Sequence, residues 1–421
     1  MVSALTSALS DWLARLEQAY PHTIELGLER VAQVCDAMRL QPSFPVILVG
    51  GTNGKGSTCA YLESILRVQG CKTGLFTSPH LLRYNERVRI NGLESSDDSV
   101  VAGLEAVEAA RGNISLTYFE HGTLAAMWQF VQAGVDVAII EVGLGGRLDA
   151  TNIFDPDVSV VTSIDLDHQA WLGNTREAIG FEKAGIYRAG KPAICGDPDP
   201  PRSLVEHARN IGADLIRTGP DFGHESHEQC WEFFMRGIRL PGLPFPALTG
   251  KHQLRNAASA LAALAAVGDH VPVTISSIRQ GLMNVRLPGR FQKIQGPVEI
   301  VLDVAHNPES ARALAENLRS RPARGKNHAV FALLADKDAE GVITPLKDIF
   351  DTWFVAGLSG ERGQSGETLA AKLGNHAKGR ISIHVDPSDA FSAARLEAFE
   401  GDRIVVFGSF HVVAEILKTV S

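Results

Sequence analysis

Apolar residues along this chain fall into two kinds of run. Short, largely apolar runs recur at 46–49, 73–76, 135–142, 158–164 and 192–195. Runs such as "VDVAIIEV" (135–142) are apolar on both faces, which predicts strands of a sheet covered by helices on each side. Between them, at 57–69, 99–111, 122–132 and 176–188, the pattern turns helical. Strand and helix alternate, so the expected architecture is a set of βαβ units around a mainly parallel sheet. At the start of the chain Leu5, Leu9, Leu13 and Leu16 fall at helical spacing and predict an amphipathic helix.

The pattern breaks twice. Residues 221–246 include "HESHEQC" (224–230), which fits no zinc-ligand spacing and reads as a solvated loop leading into one short strand, "WEFFMRGIRL" (231–240). The stretch "NVRLPGRFQKIQGP" (284–297) gathers prolines, glycines and basic residues, which places a domain boundary near 288–297. Beyond it the alternation restarts, with strands expected at 298–304, 328–334, 352–357, 380–384 and 403–407 and a helix from Glu309. The fold class is therefore α/β. Residues 1–290 form a mainly parallel sheet domain, and 291–421 form a smaller, Rossmann-like C-terminal domain.

Composition narrows the function classes. Of 421 residues, 45% are hydrophobic and 21% charged, as in ordinary globular chains. The net charge of −8 gives no reason to expect a nucleic-acid groove. No apolar run approaches the length of a membrane span. The five cysteines, Cys35, Cys59, Cys71, Cys195 and Cys230, are odd in number and form no C-x-x-C pair. That pattern suits reduced thiols rather than a disulfide framework. The N-terminus has no basic leader before an apolar core, so no signal peptide is expected. The expectation is a cytoplasmic monomer whose partners are small molecules, with neither nucleic acid nor membrane among them.

The candidate chemistry begins at "VILVGGTNGKGSTCAYLE" (46–63). An apolar strand runs into glycines, a lysine, two hydroxyls and a helical stretch. The usual phosphate-loop spelling is G-x-x-x-x-G-K-[ST]. Here Gly54-Lys55 supplies the G-K pair, but Val49 occupies the first glycine slot, Gly50 and Gly51 follow it, and Gly56 displaces the hydroxyls to Ser57 and Thr58. The physics survives these changes. Glycines let backbone N–H groups turn toward an anion, the next helix adds its free N–H groups, and Lys55 supplies a mobile charge for the β- and γ-phosphates. ATP with Mg²⁺ is the expected ligand.

The loop "GTNGKGS" resembles that of the folylpolyglutamate synthase/dihydrofolate synthase family, relatives of the Mur ligases. Mur ligases usually place a hydroxyl directly after the lysine, and Gly56 points to the folate branch. Further segments are similar to the family in the same order: "HTIELGLERV" (22–31), "FTSPHLLRYNERVRING" (76–92), "EVGLGGRLDATN" (141–152), "SIDLDH" (163–168), "EKAGI" (182–186), "LPGRF" (287–291) and "LDVAHNP" (302–308). Together they span nearly the whole chain.

The resemblance implies site residues. Magnesium would be held by Ser78, Glu141 and His168, each of which also lies just past or at the end of an expected strand, the edge where open α/β sheets bind ligands. Nucleotide contacts would fall on Gly54, Lys55, Gly56, Ser57 and Asn256, with Arg290, Asp303 and His306 supplied from the boundary and beyond. Asp303 and Asn307 also suit a helix start in "AHNPES". Lys183 matches the family's carbamylated lysine; by composition alone it would be a solvated lysine pairing with Glu182 or Glu177. Dihydropteroate would meet Thr23, Ile24, Glu25, Leu26, Thr117, Tyr118, Phe119, Glu120, Leu148, Asp149 and Ala150, with Asp149 pairing to a pterin amidine edge. The implied activity is ATP-dependent ligation of L-glutamate to dihydropteroate and to reduced folates through an acyl phosphate, with Lys55, Lys183 and His168 as the catalytic set. Two alternatives remain at this point: a Mur-type ligase acting on a nucleotide-linked sugar acid, and a non-catalytic ATP-binding regulator.

Overall fold

The computed structural model describes residues 8–19, 25–374 and 376–420. The chain divides into two compact units. One comprises residues 1–164, 168–245 and 255–285; the other comprises 165–167, 246–254 and 286–421.

The first unit is built on eight strands: β1 (Val46–Gly50), β2 (Thr73–Phe76), β3 (Val88–Ile90), β4 (Leu93–Glu94), β5 (Val137–Glu141), β6 (Val158–Val161), β7 (Pro192–Cys195) and β8 (Asp214–Arg217). Their order is β4-β3-β2-β5-β1-β6-β7-β8. β2 to β8 pair in parallel except where β3 and β4 turn back as an antiparallel edge. β1 lies between β5 and β6, and every one of its residues is buried. This explains its unbroken apolar spelling: a central strand covered on both faces has no solvent side to mark with polar residues. The N-terminal helix Ala8–Ala19 buries Leu9 and Leu16, whereas Leu5 lies outside the described residues. Among the described residues no helix is long and apolar enough to cross a membrane.

The reading of 221–246 needs correction. Its expected loop contains a strand, β9 (Phe222–Ser226), and its expected single strand is a hairpin, β10 (Trp231–Met235) and β11 (Ile238–Leu243). The three form a separate antiparallel sheet in the order β11-β10-β9. Arg236 and Gly237 both take positive φ (41° and 88°), as a two-residue hairpin turn demands. The polar "HES" was misleading because main-chain pairing holds it: His224 stands opposite Phe233 and Glu225 opposite Glu232.

The second unit carries β12 (Gln292–Ile294), β13 (Glu299–Leu302), β14 (Asn327–Phe331), β15 (Thr352–Ala356), β16 (Arg380–His384) and β17 (Arg403–Phe407), in the order β12-β13-β17-β14-β15-β16. All pair in parallel except β12 with β13. Its core gathers Phe331, Phe350, Trp353 and Phe407.

One buried group in the first unit makes stability depend on pH. His121, in the helix Tyr118–Ala133, is 2% exposed and neither ring nitrogen makes a hydrogen bond with a described residue; Nε2 lies 3.6 Å from Glu108 Oε2. Burial lowers its pKa to about 4, against the pull of Glu108. Below an unfolded pKa of about 6.5 the unfolded chain therefore takes up a proton that the folded chain refuses. Stability is expected to fall as pH drops from neutrality toward 5, by on the order of 1–2 kcal/mol from this group. Chemical denaturation at the two pH values checks it: His121→Gln should flatten the dependence, and an unchanged slope would acquit His121.

Candidate active site

The phosphate-loop segment runs from the end of β1 to the helix Lys55–Gln69. Gly51 (φ 140°) and Gly54 (φ 88°) both occupy the left-handed half of conformational space, where a side chain is strained. Space forbids one as well. A Cβ on Gly51 would sit 1.9 Å from Thr162 Oγ1, and one on Gly54 would sit 2.5 Å from Asn256 Oδ1. The second distance places the Asn256 amide directly against the loop. Gly54 offers no side-chain cap to the helix, so the first-turn N–H groups are not taken by it. The Lys55 ammonium folds over the loop, donating to the carbonyls of Gly51 (3.0 Å) and Thr52 (3.2 Å). Ser57 and Thr58 are buried in the first turn.

Two hydroxyls that sequence reading did not single out fasten this loop. Thr162 Oγ1 donates to Asn53 O (2.6 Å), and Ser163 Oγ accepts from Asn53 N–H (3.2 Å). Both lie just past β6, the strand beside β1. Strand order was the missing information, since nothing local in "VTSID" points to residue 53.

The same carboxyl edge collects the candidate metal residues. Glu141 is the last residue of β5 and stands in register with Val49 of β1. Ser78 follows β2, the other neighbour of β5. Ser78 N–H donates to Glu141 Oε2 at 3.1 Å, so the fold brings this pair together. His168 is exposed at the start of the short helix Gln169–Leu172, with φ 50°. Among the described residues no three His, Cys, Asp or Glu side chains gather as a metal cage. A buried carboxylate beside a serine nevertheless fits a hard cation that takes its remaining ligands from water and phosphate oxygens.

Lys183 is buried, 4% exposed, in the helix Arg176–Ala184. This overturns the solvated reading. Glu182 pairs with Arg147 (2.9 Å), and Glu177 accepts from the N–H groups of Arg202 and Ser203.

The segments expected to meet the pterin also converge in the first unit, apart from Thr23 and Ile24, which lie outside the described residues. Arg30 bridges Glu25 and Glu120, and Gly27 N–H donates to Leu148 O (3.3 Å). Thr117 and Glu120 form a capping box at the start of the helix Tyr118–Ala133: Thr117 N–H donates to Glu120 Oε2 (2.7 Å) and Glu120 N–H to Thr117 Oγ1 (3.2 Å). Phe119 packs where a Cβ on Gly143 would meet its ring at 2.5 Å, and its ring lies 5.9 Å from Phe76. Leu26 is half-buried, and Ala150 buried.

Asp149 is engaged within its own loop. Its Oδ1 accepts from Thr151 N–H (3.0 Å) and Thr151 Oγ1 (2.6 Å), and its Oδ2 from Leu144 N–H (2.8 Å). Burial pushes its pKa up while these donors pull it down. Pairing to an amidine would compete with three bonds that shape the loop 143–151. Asp149→Ala is therefore expected to cost about 2–4 kcal/mol of stability. A thermal melt superimposable on that of the parent would show the carboxylate to be free for a ligand.

In the second unit Asp303 follows β13 and accepts from Phe291 N–H and Ala305 N–H, each at 2.9 Å. Burial raises its pKa against the Arg290 guanidinium. Arg290 lies over the Phe410 ring at 5.3 Å, and His306 lies 6.0 Å from the same ring. Asn307 caps the helix Pro308–Ser320, as the sequence suggested. Asp167, not singled out from sequence, accepts from Asn307 Nδ2 (3.1 Å) and Lys337 Nζ (2.6 Å).

Comparison with known proteins finds relatives along nearly the whole chain. A family model described as the Mur ligase middle domain matches residues 49–264, and one described as the Mur ligase, glutamate ligase domain, matches 289–410. The chain is 46% identical over 415 residues to a dihydrofolate synthase/folylpolyglutamate synthase of Escherichia coli (strain K12), covering 98% of this chain and 96% of that one. Its fold matches E. coli FolC solved in complex with DHPP and ADP, with a TM-score of 0.93 at 45% identity, over 98% of this chain and 97% of that one. It also matches a bifunctional folylpolyglutamate synthase/dihydrofolate synthase with Mn, AMPPNP and L-glutamate bound, with a TM-score of 0.91 at 45% identity, over 98% of each.

Proposed function

The chain belongs to the dihydrofolate synthase/folylpolyglutamate synthase family, and we propose that its phosphate loop and the neighbouring strand ends carry that family's reaction here. It is an ATP-dependent acid–amino-acid ligase that joins L-glutamate to dihydropteroate and to reduced folates. Its nucleotide is ATP, used with a divalent cation, Mg²⁺. The sugar-acid ligase and the non-catalytic regulator gain no support from these relatives.

One observation supports the site assignment above the others. Lys55, Asn256, Ser78 and Glu141 come from four separate stretches yet meet at one sheet edge, the position where open α/β sheets bind ligands. In the reading proposed, the loop N–H groups of Gly54, Gly56 and Ser57 and the Lys55 ammonium hold the phosphates, with the Asn256 amide beside them. Ser78 and Glu141 would hold the cation, joined by His168; the bound cation supplies charge neutralisation at the transferring phosphoryl group. The acceptor carboxylate attacks the γ-phosphate, forming an acyl phosphate and releasing ADP. The glutamate amine then displaces phosphate and forms the amide. Positioning and electrostatics supply the acceleration. The segments 25–26, 117–120 and 148–150 would seat the pterin chiefly through shape and main chain, since Glu120 and Asp149 are engaged with their own loops. Arg290, Asp303 and His306 are proposed as nucleotide-serving groups within a functional division of 1–290 and 291–421. We propose a cytoplasmic monomer; the five cysteines are all free, which suits a reducing compartment.

Measurement of ADP release with ATP and L-glutamate, in the presence of dihydropteroate or tetrahydrofolate, tests the reading. Release that depends on both the acceptor and glutamate is expected. Release indifferent to either would reject it.

A further inference from the structure

The segment that follows Ser78 carries a guanidinium that pairs with no carboxylate among the described residues. One carboxylate shapes this segment: Glu86 accepts from the N–H groups of Leu81 (2.7 Å), Leu82 (2.6 Å) and Arg83 (2.7 Å). The chain then passes through the short turn Tyr84–Arg87 into β3. Thr77 N–H donates to Arg87 O at 2.9 Å, so Arg87 stands opposite the residue before Ser78.

The Arg87 side chain is held on several sides. Its guanidinium carbon lies 5.5 Å from the ring centroid of Tyr84 and 5.5 Å from that of Tyr118, and the two rings meet edge-on at 5.8 Å. Its Nε donates to His80 Nδ1 at 2.9 Å. A guanidinium only donates, so that nitrogen of His80 accepts. These contacts orient the group and use one of its five N–H donors. Nη1 and Nη2 make no hydrogen bond or ion pair with any described residue, although the side chain is half-buried. The location is pointed: the Arg87 backbone is bonded to the residue before Ser78, and its guanidinium lies over Tyr118, which adjoins Thr117, Phe119 and Glu120 in the chain.

We propose that the Nη1–Nη2 edge of Arg87 binds a carboxylate of the acceptor, an inference that rests on the glutamate-ligase reading above. Two parallel N–H donors match a carboxylate in geometry as well as charge. The tyrosines and His80 hold the fork before the ligand arrives, which lowers the entropy lost on binding. The carboxylate has two possible sources. One is the reacting benzoate carboxylate of dihydropteroate; the other is the non-reacting α-carboxylate on the glutamyl tail of a reduced folate.

The test compares Arg87→Gln and Arg87→Lys with the parent enzyme. It measures KM for each acceptor, for ATP and for glutamate, direct binding of each acceptor with ADP present, and Tm to verify folding. Arg87→Gln is expected to weaken acceptor binding about ten- to hundredfold, with KM for ATP and glutamate within about twofold. Arg87→Lys, which keeps the charge without the fork, should recover part of the loss. Weakening with dihydropteroate, whose benzoate is its only carboxylate, assigns the reacting carboxylate whether or not tetrahydrofolate is also weakened, and weakening with tetrahydrofolate alone assigns the tail. Unchanged acceptor affinity in a folded variant, or a raised KM for glutamate instead, overturns the inference. A parent enzyme without acceptor-dependent ADP release would instead defeat the glutamate-ligase reading itself.

Discussion

Lys55→Ala is expected to slow turnover a hundredfold or more, the consequence of losing about 3 kcal/mol of transition-state stabilisation. The ammonium lies within the loop, bound to the carbonyls of Gly51 and Thr52. From there it needs only to exchange carbonyl oxygens for phosphate oxygens, a gain in charge pairing that grows as negative charge moves during phosphoryl transfer. The loop's shape depends on Gly51, Gly54 and Thr162 rather than on the lysine, so the variant should fold. Steady-state ADP release, with a melting curve to confirm folding, measures the effect. Turnover within a few-fold of the parent would remove the loop from the mechanism.

Lys183→Ala is expected to abolish most activity, and short-chain carboxylic acids such as acetate are expected to restore part of it. A lysine ammonium taken out of water is costly, and placed near Mg²⁺ it would also be repelled. Lys183 is 4% exposed, so the inexpensive solution of facing solvent is closed to it. Carbamylation removes the conflict. The neutral amine attacks CO₂, loses a proton and becomes a carbamate, changing the charge from +1 to −1. Such a group would help hold the cation and orient the phosphates. The missing carboxylate explains why a small acid should rescue the alanine variant. Intact-mass measurement in ample bicarbonate should find one added CO₂. Bare lysine under those conditions, together with an active Lys183→Arg variant, would sink the carbamate.

Several parts of the site were legible because their causes are local. The run 46–50 with its following glycines and lysine specifies strand, turn and helix within a short window. The capping chemistry of Asn307 was readable for the same reason. The helical positions of 57–69 and 99–111 follow from apolar spacing. The misread stretch, 221–246, failed where that window fails: β9 is polar and owes its strand conformation to β10, across a turn.

By itself, then, the sequence determined the α/β alternation, the phosphate loop and the family, since each is written in neighbouring residues or in ordered motifs. Tertiary structure alone decided which of those residues share a site. Strand order joined Ser78 to Glu141 across 63 positions and set Thr162 under Asn53. It also buried Lys183, engaged Asp149 with Thr151 and Leu144, and laid Arg87 across Tyr84 and Tyr118. The physical reason is common to all of them. A residue's neighbours in the chain fix its backbone preference, but the free energy of a buried charge depends on partners brought from elsewhere, and no short window of sequence contains them.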